Sequence, residues 1–230
     1  MREDVTQKLS WNKPLDKEYV SRWNEICAET RGTALKIPRN IATANHLHNR
    51  STLWIFGDAS KVAIACCGYV THVPYNNTNG LLLAPLRRKL SIPRLELLAL
   101  LISLRLASSI LRVHQRHIQC VQIVSDSKIA LAWAQSSRRL PLFVANQVDC
   151  IRKITRQIQD LGIPVELNYI ESEHNPADVA TRPTSREQFE ESQWLTGSKW
   201  FAKPEHEWPI ESTPKGIVQE YTAVKMKKTA

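Results

Sequence analysis

The sequence predicts an α/β fold built around a mixed β-sheet. Three apolar runs follow one another between Thr52 and Leu86 and are separated by turn residues, a pattern that is typical of an antiparallel meander. A long apolar segment without glycine then predicts a helix, and two later apolar runs alternate with helical patterns. The predicted order of elements is βββαβααβα.

Each predicted strand is a short apolar run. The first three are TLWIFGD, KVAIACCGYVTHV and GLLLAPL, and the polar cluster from Asn76 to Gly80 makes the second turn. The two later strands are CVQIVSD and VELNYIES.

The predicted helices stand between and after these strands. The long helix is IPRLELLALLISLRLASSILRV, where Pro93 stands in the first turn, a position at which proline is tolerated. SKIALAWAQS is a short helix, and the next helix has an apolar side from Val144 to Leu161 and ends at Gly162. NPADVATR is predicted to begin a final short helix with Asn175 as its N-cap.

The chain is predicted to have three parts. Residues 1–50 form an N-terminal arm with one helix, Asp16–Thr30, whose apolar residues recur at helical spacing. Residues 51–183 form the α/β domain. Residues 184–230 carry tryptophans and prolines without periodicity and end in a lysine-rich tail, so we expect an irregular extension outside the core domain.

The composition excludes several classes of protein. With 230 residues, 43% of them hydrophobic and only 7 glycines, the chain is neither collagenous nor wholly disordered. Its 31 basic and 22 acidic residues give a net charge of +9, which favours a polyanionic partner.

The sequence predicts a location in the cytoplasm or the nucleus. The first 25 residues are polar and lack a secretion signal, and the most apolar stretch, Leu95 to Leu104, is too short and too charged to span a membrane. The cysteines form an odd set of five without a CxxC pair, which is typical of free thiols in a reducing compartment.

Four acidic residues are candidates for chemistry: Asp58, Glu96, Asp126 and Asp178. Asp58 and Asp126 end predicted strands and could instead initiate turns or cap helices, and Asp178 could complement a helix dipole. Glu96 is the only acid in an otherwise apolar helix, so it needs either a salt bridge, to Arg94 or Arg105, or a cation.

The order of the elements predicts that these carboxylates meet. A mixed sheet would place the ends of the strands bearing Asp58 and Asp126 side by side, and the long helix between them would bring Glu96 to the same edge. Clustered carboxylates repel one another and prefer hard divalent ions such as Mg²⁺. Two ions about 4 Å apart could activate a water and stabilise the leaving 3′ oxygen in phosphodiester cleavage.

Five motifs follow one another along the predicted α/β domain: FGDAS, LAPLRRKLSIPRLELLALL, VSDSKIALAW, FVANQVDCIRKI and NYIESEHNPADVATR. This ordered set resembles the ribonuclease H region of Pao/BEL-type LTR-retrotransposon polyproteins. The resemblance covers about Thr52 to Arg182, and LSWNKPLD, IPRNI and WLTGSKWFAKPEHEWP are similar to the flanks of that region.

The resemblance implies a ribonuclease H-like fold with a five-stranded mixed sheet, three antiparallel strands and then two parallel ones, flanked by helices. It also implies hydrolysis of RNA in RNA–DNA hybrids with two Mg²⁺ ions, for which Mn²⁺ can substitute. Asp58 resembles the first-strand aspartate expected to bridge both ions, and Asp178 the last aspartate, which holds the second ion. Glu96 and Asp126 match the helix glutamate and the aspartate that ends the fourth strand.

One departure concerns His174. Many ribonucleases H carry a histidine in a longer loop, well before the last aspartate, whereas His174 stands only four residues before Asp178. The role of that histidine is therefore not carried over.

Substrate contacts are predicted at basic residues, because a hybrid duplex is recognised mainly through its shape, phosphates and 2′-hydroxyls. Arg87, Arg88 and Lys89 precede the long helix, and Arg138 and Arg139 lie in a connecting loop. Arg152, Lys153 and Arg156 on the polar face of the following helix are further candidates, although a run of charges is often only a solvated surface.

Other functions stay open at this point. The chain could be an inactive ribonuclease H-like remnant that binds nucleic acid or packs against a reverse transcriptase polymerase domain, to which residues 1–50 would connect. A transposase or integrase is disfavoured, because no N-terminal Cys/His zinc module is present. The sequence also lacks protease and polymerase motifs, so we expect a fragment, a truncated copy or a domesticated gene product.

Overall fold

The computed structural model describes residues 14–32, 51–72, 79–83 and 90–212. The chain divides into two compact units, Met1–Lys36 and Ile37–Ala230. The first contains helix α1, Lys17–Thr30, as the sequence predicts. Several predicted features lie partly outside the described residues: positions 1–13 and 33–50 of the N-terminal arm, 73 of the second predicted strand, 76–78 of the second turn, 84–86 of the third predicted strand and 213–230 of the C-terminal extension.

The sheet begins with the predicted antiparallel meander. Strand β1, Ser51–Ala59, pairs with β2, Ile64–His72, which pairs with β3, Asn79–Leu83. Ser60 makes the first turn, because its Oγ accepts hydrogen bonds from the backbone N–H groups of Val62 at 3.0 Å and Ala63 at 3.2 Å.

Two later strands complete the predicted mixed sheet. Strand β4, Ile118–Ser125, pairs in parallel with β1, and β5, Val165–Ile170, pairs in parallel with β4. The prediction of three antiparallel and then two parallel strands is confirmed. A short sixth strand, β6, Ile210–Ser212, which the sequence analysis did not predict, pairs antiparallel with β5, so the strand order is β3–β2–β1–β4–β5–β6.

One face of the sheet is covered by long helices. Helix α2, Ile92–His114, lies against β1 and β2 and packs beside α3, Lys128–Gln135, and α4, Leu142–Gln159. Among the described residues, α2 is the one helix that is long and apolar enough to cross a membrane. Most of it is buried in the hydrophobic core of the protein.

Gly57 allows α2 to lie close to β1. A Cβ atom at this position would meet Ser103 Oγ at 2.5 Å and the backbone oxygen of Ala99 at 3.2 Å. Both distances are shorter than an ordinary van der Waals contact, so any larger residue would push α2 away from the sheet.

The other face is covered by residues that follow β5. Two short helices, α5, Arg186–Glu190, and α6, Gln193–Thr196, precede irregular turns that bring large rings onto the sheet. This hydrophobic cluster contains Trp194, Trp200 and Phe201 from the C-terminal segment, packed with Trp54, Phe56 and Tyr69 from the sheet. Residues 184–212 thus pack on the sheet, although the domain boundary at residue 184 stays a prediction.

Candidate active site

Asp58 and Asp126 lie side by side at one edge of the sheet. Strands β1 and β4 run in parallel, and Gly57 of β1 is the register partner of Ser125 of β4. Asp58 is the next residue of β1, and Asp126 follows the end of β4. The parallel pairing therefore brings two carboxylates from distant parts of the sequence to adjacent positions.

These two aspartates do not serve as turn or cap residues. Ser60 makes the turn after β1, and Asp58 itself lies within the strand, paired with Ala65. The N-cap of α3 is Ser127, whose Oγ accepts a hydrogen bond from the N–H of Ala130 at 3.1 Å. Neighbouring serines thus make the turn and the helix cap that Asp58 and Asp126 could otherwise have made.

Glu96 lies near the start of α2 and is hydrogen-bonded to the N-cap residue of the next helix. The Ser127 hydroxyl donates a hydrogen bond of 2.6 Å to Glu96 Oε2. Because Ser127 directly follows Asp126, this bond fixes the beginning of α2 beside the end of β4. Arg94, one of the two predicted salt-bridge partners, lies over the ring of Phe143 with 5.5 Å between the guanidinium carbon and the ring centroid.

A turn anchored on β1 carries Asp178. Asn175 Nδ2 donates to the backbone oxygen of Gly57 at 3.2 Å, and Asn175 Oδ1 accepts from the N–H of Ala177 at 3.1 Å. The predicted short helix forms as a 3₁₀ helix, Asp178–Thr181, but the prediction that Asn175 caps it is wrong, since Ala177 is its N-cap. Asn175 instead ties this turn to the strand that carries Asp58.

Thr181 joins the turn to the first aspartate. Its hydroxyl forms a hydrogen bond with Asp58 Oδ2 and lies 2.9 Å from the backbone oxygen of Asp178. Its own backbone oxygen accepts a 2.6 Å hydrogen bond from Ser60 Oγ. These contacts connect Asp58 and the turn that carries Asp178 with the turn after β1.

The charges of the acidic residues affect one another. Burial raises the pKa of Asp58 from 3.8 to about 6, with further upward contributions from Asp126 and Asp178, although the Thr181 hydrogen bond opposes this shift. Burial also raises the pKa of Asp126, against a hydrogen bond from Ser172, and the charges of Glu96 and Asp178 add to the increase. All four predicted site residues therefore belong to one electrostatic cluster.

Asp178 differs from Asp58 and Asp126 in its pairing with basic residues. Asp178 forms an ion pair of 2.6 Å with Arg182. Within the described ranges, neither Asp58 nor Asp126 forms an ion pair with lysine or arginine. Buried carboxylates in this state are destabilised, and a hard divalent cation would relieve the repulsion.

The predicted carboxylates contact polar or basic side chains of the protein. In the part of the chain that the structure describes, three possible ligand atoms lie within 4.8 Å of one another only at Glu171, Glu173 and His174. Asp58, Glu96 and Asp178 are held by Thr181, Ser127 and Arg182, respectively. Within these described ranges, no three of the four predicted carboxylates form such a group.

His174 lies beside this site on the protein surface. Its Nε2 is 3.3 Å from Glu173 Oε1, and 39% of its side chain is exposed. The next residue, Asn175, is buried and anchors the turn that carries Asp178.

The predicted substrate-binding residues have different outcomes. Arg87, Arg88 and Lys89 lie outside the described residues. Arg138 and Arg139 lie in the loop between α3 and α4, where they line a groove of about 380 Å³ together with Arg152. Arg152 Nη2 donates a hydrogen bond to the backbone oxygen of Ser136 and so anchors this loop to α4.

The residues that hold the carboxylates were missed in the sequence. Ser127 follows Asp126 in the sequence, but its hydroxyl contacts the Glu96 carboxylate. Thr181 lies three residues after Asp178, but its hydroxyl contacts the Asp58 carboxylate. No local sequence pattern indicates these contacts between distant residues, because they depend on the sheet register and on the position of the 3₁₀ turn.

The strand order and the acidic edge define a ribonuclease H-like protein. The family model described as "Pao retrotransposon-like RNaseH-like domain" matches residues 1–127, more than half of the chain. The chain belongs to this family, as the sequence motifs indicate. No curated protein matches the chain.

Several solved structures are similar to the chain. RNase H1 from the halophilic archaeon Halobacterium salinarum NRC-1 has 11% identity and a TM-score of 0.36, with coverage of 56% of this chain and 92% of that chain. An N-terminal RNase H domain from Mycobacterium tuberculosis, fused to maltose-binding protein, has 10% identity, a TM-score of 0.38 and coverage of 58% and 94%. LC11-RNase H1 in complex with an RNA/DNA hybrid has 13% identity, a TM-score of 0.36 and coverage of 56% and 91%.

Proposed function

We propose that the chain is a metal-dependent endonuclease that hydrolyses the RNA strand of RNA–DNA hybrids, as the ribonuclease H part of a retrotransposon-derived polyprotein. The observation that carries this proposal is the convergence of Asp58, Glu96, Asp126 and Asp178 at one edge of the sheet, where neighbouring acidic charges contribute to the raised pKa values of Asp58 and Asp126. Membership of the Pao retrotransposon-like family supports the same activity.

The donor set fits a hard divalent cation. All four side chains offer carboxylate oxygens, which Mg²⁺ and Mn²⁺ prefer, and the set contains neither the cysteine nor the histidine ligands that zinc prefers. We assign Asp58, Glu96, Asp126 and Asp178 as the residues that would hold two Mg²⁺ ions, with Mn²⁺ as a substitute. When bound, such ions supply an activated water and stabilise the leaving 3′ oxygen.

The protein contributes position and environment. Hydrogen bonds from Ser127 and Thr181 restrain the Glu96 and Asp58 carboxylates, and the burial of Asp58, 7% exposed, strengthens electrostatic interactions at this edge. Asp58 is ionised above its raised pKa of about 6, so cation binding and cleavage are expected to rise between pH 5 and pH 7.

Basic residues near the α3–α4 loop are proposed to bind the duplex. Arg138 and Arg139 are exposed, and the hydrogen bond from Arg152 to Ser136 gives their loop a defined position. Guanidinium groups suit phosphate oxygens, which position a duplex without reading its bases. Replacing both Arg138 and Arg139 with alanine is expected to raise KM several-fold and leave kcat nearly unchanged.

The family's retrotransposon setting supports a reverse transcriptase polymerase domain as a partner, and the cytoplasm or nucleus as the location. Both stay predictions. A pull-down between this chain and a reverse transcriptase polymerase domain from a Pao-type retrotransposon would test the partner.

A cleavage assay tests the activity. The purified chain is incubated with an end-labelled RNA–DNA hybrid and Mg²⁺, and single-stranded RNA and duplex DNA serve as substrate controls. We expect cleavage of the hybrid RNA by the wild type and a loss of at least about a hundredfold in Asp126→Asn, because a missing ligand removes transition-state stabilisation.

Asp160→Asn is the matched control, since Asp160 is an exposed aspartate at the end of α4. This variant should cleave like the wild type. Equal cleavage by the wild type and Asp126→Asn would contradict the proposed site, and hybrid binding without any cleavage would favour the inactive remnant.

A further inference from the structure

Thr181 is buried between the strand that carries Asp58 and the turn that carries Asp178. Only 2% of this residue is exposed. Its hydroxyl contacts both Asp58 Oδ2 and the backbone oxygen of Asp178, and its backbone oxygen accepts from Ser60. One side chain thus touches the strand that carries the first aspartate and the turn that carries the last.

The Thr181 hydroxyl is not required for packing. Valine has the same shape without the polar atom, and the turn around it is already apolar, with Val179 and Ala180 packed against the aromatic cluster. A buried hydroxyl is costly unless it is hydrogen-bonded. Its single proton can be donated to one acceptor at a time, and Asp58 is the charged one of its two neighbours.

Two other partners of the site carboxylates, Ser127 and Arg182, have separate structural roles. Ser127 also caps α3, and Arg182 is largely exposed and pairs with Asp178 within the same turn. Thr181 differs from both, because it is neither a helix cap nor a surface ion-pair partner. Its distinguishing contact is with Asp58, a carboxylate contributed from 123 positions earlier in the chain.

We infer that Thr181 is a positioning residue of the metal site, whose hydroxyl orients the Asp58 carboxylate relative to Asp178 for binding a divalent cation. The inference rests on the proposed function for the identity of the cation, but not on the activity itself. Groups that orient metal ligands typically change metal affinity by 10- to 100-fold when removed.

Calorimetric titration with Mn²⁺ tests the inference without any substrate. We expect Thr181→Val to weaken Mn²⁺ binding about tenfold, and Thr181→Ser, which retains the hydroxyl, to stay within about threefold of the wild type. In the cleavage assay, Thr181→Val should need a correspondingly higher Mg²⁺ concentration for half-maximal rate and should approach the wild-type rate at saturation.

Thr184→Val is the matched control. Thr184 also donates its hydroxyl within this region, to the backbone oxygen of Val179 at 2.9 Å, but it contacts no carboxylate in the described structure. Its Mn²⁺ affinity should equal that of the wild type. If Thr184→Val weakens binding as much as Thr181→Val, the effect is a general loosening of the turn and the inference is overturned.

The remaining outcomes are also decisive. Wild-type affinity in Thr181→Val, or an equal loss in Thr181→Ser, overturns the inference. If Thr181→Val does not fold, Thr181→Ala is titrated instead, with folding checked by circular dichroism. Mn²⁺ binding that depends on the Thr181 hydroxyl in a chain that cleaves no hybrid supports the inference and contradicts the proposed function.

Discussion

The two faces of the sheet are covered in different ways. On one face, α2, α3 and α4 pack an aliphatic core against the strands. On the other face, short turns after β5 place Trp200 and Phe201 on Trp54 and Phe56, with ring centroids 5.6 Å apart for Trp54–Phe201 and 6.1 Å apart for Phe56–Trp200. Aromatic side chains bury large areas each, so an irregular segment can cover a sheet face without a regular helix.

The candidate site lies where these two faces meet at the sheet edge. Trp54, Phe56 and Asp58 occupy every second position of β1, so their side chains lie on the same face of the sheet. Asp58 therefore belongs to the aromatic face. Glu96 lies near the start of α2, which covers the helical face. The arrangement of the site thus depends on the packing of both faces. Substitutions on the aromatic face should affect Asp58, and substitutions on the helical face should affect Glu96.

The largest expected effect is on the stability of the aromatic face. Phe201 is 1% exposed, and Phe201→Ala should lower the free energy of unfolding by about 3–5 kcal/mol, since it leaves a cavity among packed rings. Leu104→Ala on the helical face is the comparison, with an expected loss of about 2–5 kcal/mol. Urea unfolding measures both. A loss below about 1 kcal/mol for Phe201→Ala would show that the aromatic segment is only a loose cover.

The next effect concerns the buried acid of the aromatic face. The pKa of Asp58 is about 6 in the folded chain and 3.8 ordinarily, so between these values the unfolded chain releases its proton while the folded chain keeps it. The free energy of unfolding should therefore fall by up to about 3 kcal/mol as the pH rises through this window.

Asp58→Asn should remove this loss, because its side chain does not titrate. In EDTA, the variant should be about as stable as the wild type near pH 4 and more stable at pH 7, while losing hybrid cleavage. Urea unfolding at several pH values measures the difference. A wild type and variant whose stabilities change in parallel between pH 4 and pH 7 would disprove the raised pKa.

A smaller effect is expected where the helical face approaches the sheet. Gly57→Ala places a Cβ at 2.5 Å from Ser103 Oγ and should cost about 1–3 kcal/mol of unfolding free energy by overpacking. Because α2 carries Glu96, the displacement should also reduce cleavage. Gly57→Ala combined with Ser103→Ala should recover part of the stability, and the absence of any recovery would argue against this contact as the cause.

The helical face could be predicted from the sequence, because its signals are periodic and local. The long run without glycine from Ile92 predicts α2, and the apolar side from Val144 predicts α4. The neighbouring positions of Asp58 and Asp126 could also be predicted, since parallel strands end at the same edge.

The aromatic face could not be predicted in the same way. Trp200 and Trp208 stand among prolines and short turns, without a period of two or 3.6 residues, so their packing on β1 and β2 depends on tertiary contacts alone. The 3₁₀ turn at Asp178 has the same origin: the Asn175 side chain bonds to β1, which competes with the capping of a regular helix.

A calorimetric titration of the wild type and Asp126→Asn with Mg²⁺ tests the proposed cation site most directly. We expect saturable binding by the wild type and its loss in Asp126→Asn, because carboxylates from separate elements form one cation site. No saturable binding by the folded wild type, or equal binding by the two proteins, would contradict it.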